Sequence, residues 1–333
     1  MEYALDIKRT IGHVHSDPLF EALNPEGKEF LDVRWLPPAL NPFGRYNIRI
    51  GAVVLKRFPH IKTVATVQMM LEDFGNGLYE GKHTIVVPSS GNTAQAVARV
   101  YPAFGFKKLK VVMSTDVPDS KVGILKAYGI VDIYLVSDVT GTARKEAQED
   151  GYYLLDQYSH MGNLRAHMMY TGPEIVRVLG DNIAIIAIAL GSGGTAAGVG
   201  RFLEHARPEA MVLGVRPILG EQVPGTRDEA MMKKVVTLPW RPVVPVIAEV
   251  TRKNAFISMK KLGYAVDPQP GPSGGLAFEG LIQHLRRLTE QELGNLRGKT
   301  VGFLCPDDGR FYPERTTGEL DPAQGLPQGF PTI

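Results

Sequence analysis

The sequence predicts an α/β protein of two lobes, each a mostly parallel twisted sheet flanked by helices. Three observations carry that prediction. From about residue 83 onwards, short runs of β-branched and other apolar residues alternate with helical stretches. The runs are apolar throughout rather than at every second position, as in parallel strands covered on both faces. A chain of 333 residues also exceeds one ordinary domain at roughly 100–200 residues each.

The first 50 residues, with DPLFEALNPEG and WLPPALNPFG rich in Pro, Asn and Gly, read as an irregular lead-in to a strand, IRIGAVVL (48–55). A helical pattern begins at Lys62 within FPHIKTVATVQMMLED, where Val64, Val67, Met70 and Leu71 form the apolar stripe. HTIVVP (83–88) reads as a buried strand before the helix TAQAVARVYPAFG. KLKVVMS (108–114) precedes the helix DSKVGILKAYG, and VDIYLVS (131–137) precedes TGTARKEAQEDG. Next come YYLLDQY (152–158) and one long helix, NLRAHMMYTGPEIVRVLG. IAIIAIAL (183–190), the loop GSGGT, the helix AAGVGRFLEHARP and the strand MVLGVRP continue the alternation. Residues 314–333 lack apolar periodicity and read as a surface tail. The domain reading is an N-terminal lobe of residues 50–165, with 10–49 and 166–313 forming a C-terminal lobe.

Composition removes several classes. A single cysteine excludes a disulfide framework and any Cys-based zinc or iron–sulfur site. A net charge of +2 gives no electrostatic case for nucleic acid or a membrane surface. MEYALDIKRT lacks the apolar core of a signal peptide, and no stretch approaches about 18 apolar residues. The expectation is a cytoplasmic protein with no nucleic-acid or membrane partner.

Three glycine-bearing turns carry candidate chemistry. GSGGT (191–195) joins a strand to a helix, where glycines turn backbone N–H groups to one point and the helix N-terminus adds positive charge. That is an anion cradle suited to phosphate; a tight turn needing glycines for packing alone is the plainer reading. Gly191, Gly193 and Ala196 also fit the dinucleotide fingerprint, but the next strand ends in GVRP without the acidic residue that pattern wants. SSGNT (89–93) is a second polar turn, which either caps a helix or lies with the first on the ligand-binding rim of a sheet. GPSGG (271–275) matches the nucleophile elbow, yet the only later histidine, His284, lies roughly 16 Å along the same helix. Ser273 is therefore a hydroxyl offered by a glycine-lined turn. His13 and His15 lack further ligands nearby in sequence, and no metal site is expected. Cys305 within VGFLCP reads as a buried small hydrophobe. Lys62, at a helix start, lies where the macrodipole disfavours its charge and favours a reactive amine, although a solvated surface lysine is the plainer reading.

Taken in order, these pieces resemble the fold-type II pyridoxal-phosphate enzymes of the cysteine synthase and cystathionine β-synthase group, over roughly residues 10–312. SSGNT resembles that family's T-S-G-N-T loop, and GSGGTAAGVGRFL its G-T-G-G-T-x-x-G-V-G-R-x-L phosphate cup. DQYSHMGNLRAHMMYTGPEI, GPSGG and CPDDGRFY are similar to three further family segments in the same order. The family's lysine motif, N-P-x-G-S-x-K-D-R, matches literally at NPFGRYNIR (41–49), which sets Asn47 in the lysine's place. Spacing favours Lys62 instead, thirty residues before Asn92 as in the family. Around it, Thr63 and Val64 replace the motif's Asp and Arg.

The resemblance implies pyridoxal 5′-phosphate as cofactor and a homodimer. It implies Lys62 as the Schiff-base lysine and base for the α-proton, with Gly191, Ser192, Gly193, Gly194 and Thr195 holding the phosphate. Asn92 would bond the cofactor's 3′-oxygen. Ser273 would face the pyridine nitrogen, and a neutral hydroxyl there leaves that nitrogen largely unprotonated. Ser89, Ser90, Gly91, Thr93 and Gln157 would bind the substrate carboxylate. The implied reaction is β-replacement on serine or an O-activated serine through an aminoacrylate. A thiol, sulfide or other nucleophile then gives cysteine or a related amino acid. Serine/threonine dehydratase-like elimination, or a catalytically impaired cofactor-binding homologue, are the alternatives.

Overall fold

Two separate sheets organise the computed structural model, which describes residues 29–312, except 90, 116, 118 and 131, together with Asn24. Along the chain run β1 (Leu31–Trp35), β2 (Arg49–Leu55), α1 (Lys62–Gly75), β3 (Thr84–Pro88), α2 (Asn92–Val100), β4 (Lys108–Ser114), α3 (Asp119–Ala127) and β5 (Asp132–Val136). Then come α4 (Val139–Glu146), β6 (Tyr152–Leu154), α5 (Met161–Ala166), a π-helical turn (His167–Thr171), α6 (Gly172–Leu179), β7 (Ile183–Ala189) and α7 (Gly194–Ala206). The last part holds β8 (Met211–Pro217), α8 (Glu229–Val235), β9 (Val246–Val250), α9 (Arg252–Leu262), α10 (Pro272–Arg287), α11 (Glu290–Asn295) and β10 (Thr300–Leu304).

The larger sheet has the order β1-β2-β10-β7-β8-β9 and the smaller β5-β4-β3-β6. Every pairing is parallel except β1 with β2. Both faces of the larger sheet are buried. Ile50, Ala52 and Val54 of β2 enter one core while Val53 and Leu55 enter the other, and Ile185/Ala187 and Ile186/Ile188 of β7 divide likewise. A strand covered on both sides has no polar face, which is why these segments read as unbroken apolar runs.

Two expectations are corrected. The lead-in contains a strand, β1, whose LDVRW mixes charge with apolar residues because it closes the sheet's edge. The lobe boundary does not fall at residue 50: β2 pairs in register with β10, Val53 opposite Leu304, so the smaller lobe begins beyond Leu55. The long helix after residue 160 is present as one continuous helical run from Met161 to Leu179, with a π-helical turn over His167–Thr171 just before Pro173. Segments 1–23, with His13 and His15, and 313–333 lie outside the described residues.

Candidate active site

The C-terminal ends of β3 and β7 open on a cavity of about 610 Å³ between the sheets. Lys62, Asn92, Thr93, Gln157, Gly191, Ser192, Gly193, Thr195 and Ser273 all line it. Residues scattered over more than 200 positions therefore meet at one place. Asn47 does not; it sits in a left-handed turn whose carbonyl accepts from Gly298 N–H.

Lys62 is the first residue of α1, and its approach is fixed by Ile61 N–H donating to Pro306 O at 2.7 Å. Its Nζ donates to Ser192 Oγ at 3.3 Å. Burial pulls the amine down to about 8, assisted by the charge of Arg227 and opposed by Asp307. Burial, rather than the helix start alone, thus makes a neutral amine accessible near pH 8.

The GSGGT turn is shaped for an anion. Gly193, at φ 78°, is the left-handed residue from which α7 starts. At Gly191 a side chain would run into Gly225 O at 2.4 Å. Ser192 Oγ also accepts from Asn163 Nδ2 at 2.9 Å, and that amide donates in addition to Gln157 O at 2.7 Å. Thr195 Oγ1 lies 3.1 Å from His167 Nε2, whose Nδ1 is 2.9 Å from Thr171 Oγ1. Burial holds the imidazole at about 3, so it is neutral. The π-helical turn places this histidine beneath the cup.

Opposite the cup, Ser273 opens α10 and donates from Oγ to Asp307 Oδ1 at 3.2 Å. Asp307 Oδ2 accepts from Asn92 Nδ2 at 3.0 Å and from the Tyr312 hydroxyl. Lys121 Nζ donates to Asn92 Oδ1 at 2.8 Å and stands 4.0 Å over the Tyr312 ring. Burial pushes the Asp307 carboxyl above its ordinary value, against Lys121 and its three donors. Asn92 is thus already engaged on both ends of its amide, the weaker contact being Nδ2 to Tyr312 OH at 3.3 Å.

The SSGNT turn divides. Asn92 and Thr93 reach the cavity, but Ser89 does not: its Oγ accepts from Gly91 and Ala94 N–H, each at 3.0 Å, and so caps the start of α2. In this structure its side chain caps the helix and does not line the cavity. Gly91, at φ 126°, and Gly194 shape their turns without lining the cavity, and Ser90 lies outside the described residues. Gln157 lines the wall and bonds Pro88 O at 3.4 Å. Arg227, Lys121, Asp307 and Tyr312 were not singled out from sequence; CPDDGRFY held two of them, but nothing local marks a carboxylate that closure of the fold brings to Ser273. Cys305 is buried, with its thiol pushed well up.

An amine poised near neutrality, a glycine cradle at a helix N-terminus and a buried serine across one cavity define an enzyme that binds a phosphorylated carbonyl cofactor. The profile of the family described as "Pyridoxal-phosphate dependent enzyme" matches residues 39–307. The chain belongs to this family, and its cofactor is pyridoxal 5′-phosphate. It is 31% identical over 251 residues to a cysteine synthase B of Pseudomonas aeruginosa, covering 72% of this chain and 78% of that protein. To a cysteine synthase of Aquifex aeolicus it is 27% identical over 273 residues, covering 76% and 78%. Among solved structures, an O-acetylserine dependent cystathionine β-synthase from Helicobacter pylori superposes with a TM-score of 0.73 at 24% identity, over 87% of this chain and 96% of that one. An O-ureido-L-serine synthase does so with a TM-score of 0.73 at 19% identity, over 90% and 93%. These likenesses establish the fold as that of the fold-type II enzymes. Among the described residues no helix is long and apolar enough to cross a membrane.

Proposed function

We propose that the protein catalyses β-replacement on an O-activated serine, or on serine itself, with a thiol, sulfide or another small nucleophile. The observation that carries this reading is the Lys62 amine facing the GSGGT cup within one cavity, in a chain similar to cysteine synthases. When bound, the cofactor supplies an electron sink for charge developing at the substrate's α-carbon.

The chain's own residues then divide the work. Backbone N–H groups of 191–195 and the Thr195 hydroxyl hold the phosphate, with neutral His167 fixing Thr195. Lys62 Nζ anchors the cofactor and is the base positioned for the α-proton. Ser273 would face the ring nitrogen. Asn92, whose Nδ2 bonds Asp307 Oδ2 and more weakly Tyr312 OH, would meet the cofactor's 3′-oxygen. Thr93, Gln157 and the N-terminus of α2 receive the substrate carboxylate. Arg227 presents a cation that among the described residues no carboxylate pairs with; it donates to Tyr158 OH and Thr226 O, each at 2.8 Å. That charge favours an anionic leaving group or nucleophile.

Titrating the purified holoenzyme with O-acetylserine, O-phosphoserine and serine tests the reading. An activated serine is expected to change the cofactor's absorption, and added thiol or sulfide to restore it while a β-substituted amino acid accumulates. Release of a keto acid without any replacement product would establish elimination instead.

A further inference from the structure

We propose that Arg227 forms a subsite for a phosphoryl leaving group, so that the activated serine is O-phosphoserine rather than a neutral ester. This rests on the β-replacement reading given above and selects among its substrates. Arg227 lines the cavity from the loop before α8, and its backbone N–H donates to Leu190 O, directly after β7, at 2.9 Å. The half-buried side chain is held at two points, Nη2 donating to Tyr158 OH and Nη1 to Thr226 O, each at 2.8 Å. A guanidinium carries five N–H donors, so these two bonds leave others over. Tyr158 follows Gln157, to which the substrate carboxylate is assigned, and the guanidinium is thereby tied to the substrate's wall. Of the cations that line the cavity, it is also the one whose charge weighs on the Lys62 amine.

The carboxylates that line the same cavity are engaged elsewhere. Asp138 Oδ1 accepts from Gly141 N–H at 3.2 Å, and Asp228 from Met231 and Gly220 N–H at 2.8 and 2.9 Å. Glu221 accepts from Arg252 N–H, and Asp307 from Asn92, Tyr312 and Ser273. Lys234 of α8 adds a second cation to the wall, and among the described residues no carboxylate pairs with it. A half-buried cation without a countercharge carries a desolvation cost. A neutral acetyl ester brings no charge to offset it. A phosphomonoester brings about two negative charges, and oxygens that a guanidinium can meet with paired N–H bonds. The reaction adds to this preference. Lys62 takes the proton from the α-carbon, the Cβ–O bond breaks, and its electron pair leaves on the phosphate oxygen. Overall, a Cβ–O and an S–H bond are exchanged for a Cβ–S and an O–H bond, with no oxidant or reductant. Negative charge on the phosphate grows as the Cβ–O bond breaks, so the cation binds the transition state more tightly than the bound substrate.

Competition between O-phosphoserine and O-acetylserine for the holoenzyme, with one thiol as common nucleophile, tests this. The ratio of their kcat/KM values cancels whatever Arg227 does to Lys62. The wild type should favour O-phosphoserine at least about tenfold, and Arg227→Met should cut that ratio at least about tenfold, with Arg227→Lys in between. Inorganic phosphate gives a readout apart from turnover. By calorimetry it should bind the wild-type holoenzyme, whose cup the cofactor fills, and bind Arg227→Met holoenzyme at least about tenfold more weakly. A wild type that prefers O-acetylserine overturns the proposal while β-replacement stands, and this arm decides even if Arg227→Met does not fold. An unchanged ratio in Arg227→Met also overturns it, by confining the charge's effect to Lys62. So does loss of cofactor from dialysed Arg227→Met, which would assign the guanidinium to the cofactor's own phosphate. A defect in Arg227→Met seen with a carboxylated thiol but not with sulfide would assign it to the nucleophile and overturn the proposal too. If neither ester nor serine gives a replacement product, the proposed function fails and this inference falls with it.

Discussion

Lys62 Nζ lies 3.3 Å from Ser192 Oγ, a contact between residues 130 positions apart that joins the start of α1 to the turn opening α7. The amine that binds the cofactor and the cradle that holds its phosphate are therefore set against each other by the fold. The pull on Lys62 to about 8 gives this a pH signature. Cofactor capture needs the neutral amine, so the capture rate of the apoprotein should be flat above pH 8. Below it, the rate should fall about tenfold per pH unit as the amine protonates. Stopped-flow absorbance across pH 6–9.5 measures it; a profile still climbing at pH 9.5 would mean an unperturbed lysine.

Arg227 contributes to that shift through its charge. Arg227→Met should move the midpoint of the capture profile upwards, and Arg227→Lys should largely preserve it. An unchanged midpoint in Arg227→Met would leave burial as the sole cause.

Gly193 combines a positive φ of 78° with Trp240 3.0 Å from where a Cβ would stand. Gly193→Val should fold but hold the cofactor at least about tenfold more weakly, because the cup's N–H groups can no longer converge. Dialysis followed by absorbance gives the retained fraction. Full retention in a folded variant would remove GSGGT as the phosphate site.

Stability offers an independent check away from the cavity. Glu72 of α1 is buried against Arg165 of α5, which donates to it from both Nε and Nη2, while the Arg165 side chain is 44% exposed. Removing the arginine leaves a buried carboxylate with the neutral donor Gln68 Nε2 at 2.8 Å but without its countercharge, whereas removing the carboxylate leaves an arginine that water can solvate. Arg165→Met should therefore cost about 3 kcal/mol and Glu72→Gln clearly less, by urea unfolding. Equal losses would contradict the asymmetry in burial.

Much of the fold was legible because parallel strands covered on both faces leave no polar position to obscure them. β4 and β8 fall at the bounds read from KLKVVMS and MVLGVRP. β1 escaped notice because an antiparallel edge strand tolerates Asp32 and Arg34 in LDVRW. The glycine turns announced their places through local backbone demands. The side chains that meet at Asp307 could not be read in the same way, since Asn92, Ser273 and Tyr312 come together only when the lobes are assembled. Ser89 shows the converse: the same hydroxyl suits a cap or a ligand, and the cap shows only once the N–H groups of Gly91 and Ala94 are in place.

The central claim is that Lys62 carries the cofactor, and the cavity supplies its own competitor, because Lys121 also lines it. Borohydride reduction of the holoenzyme followed by peptide mapping decides between them. The pyridoxyl group is predicted on the peptide containing Lys62. Finding it on Lys121 or Lys56, or on no lysine at all, would contradict the account.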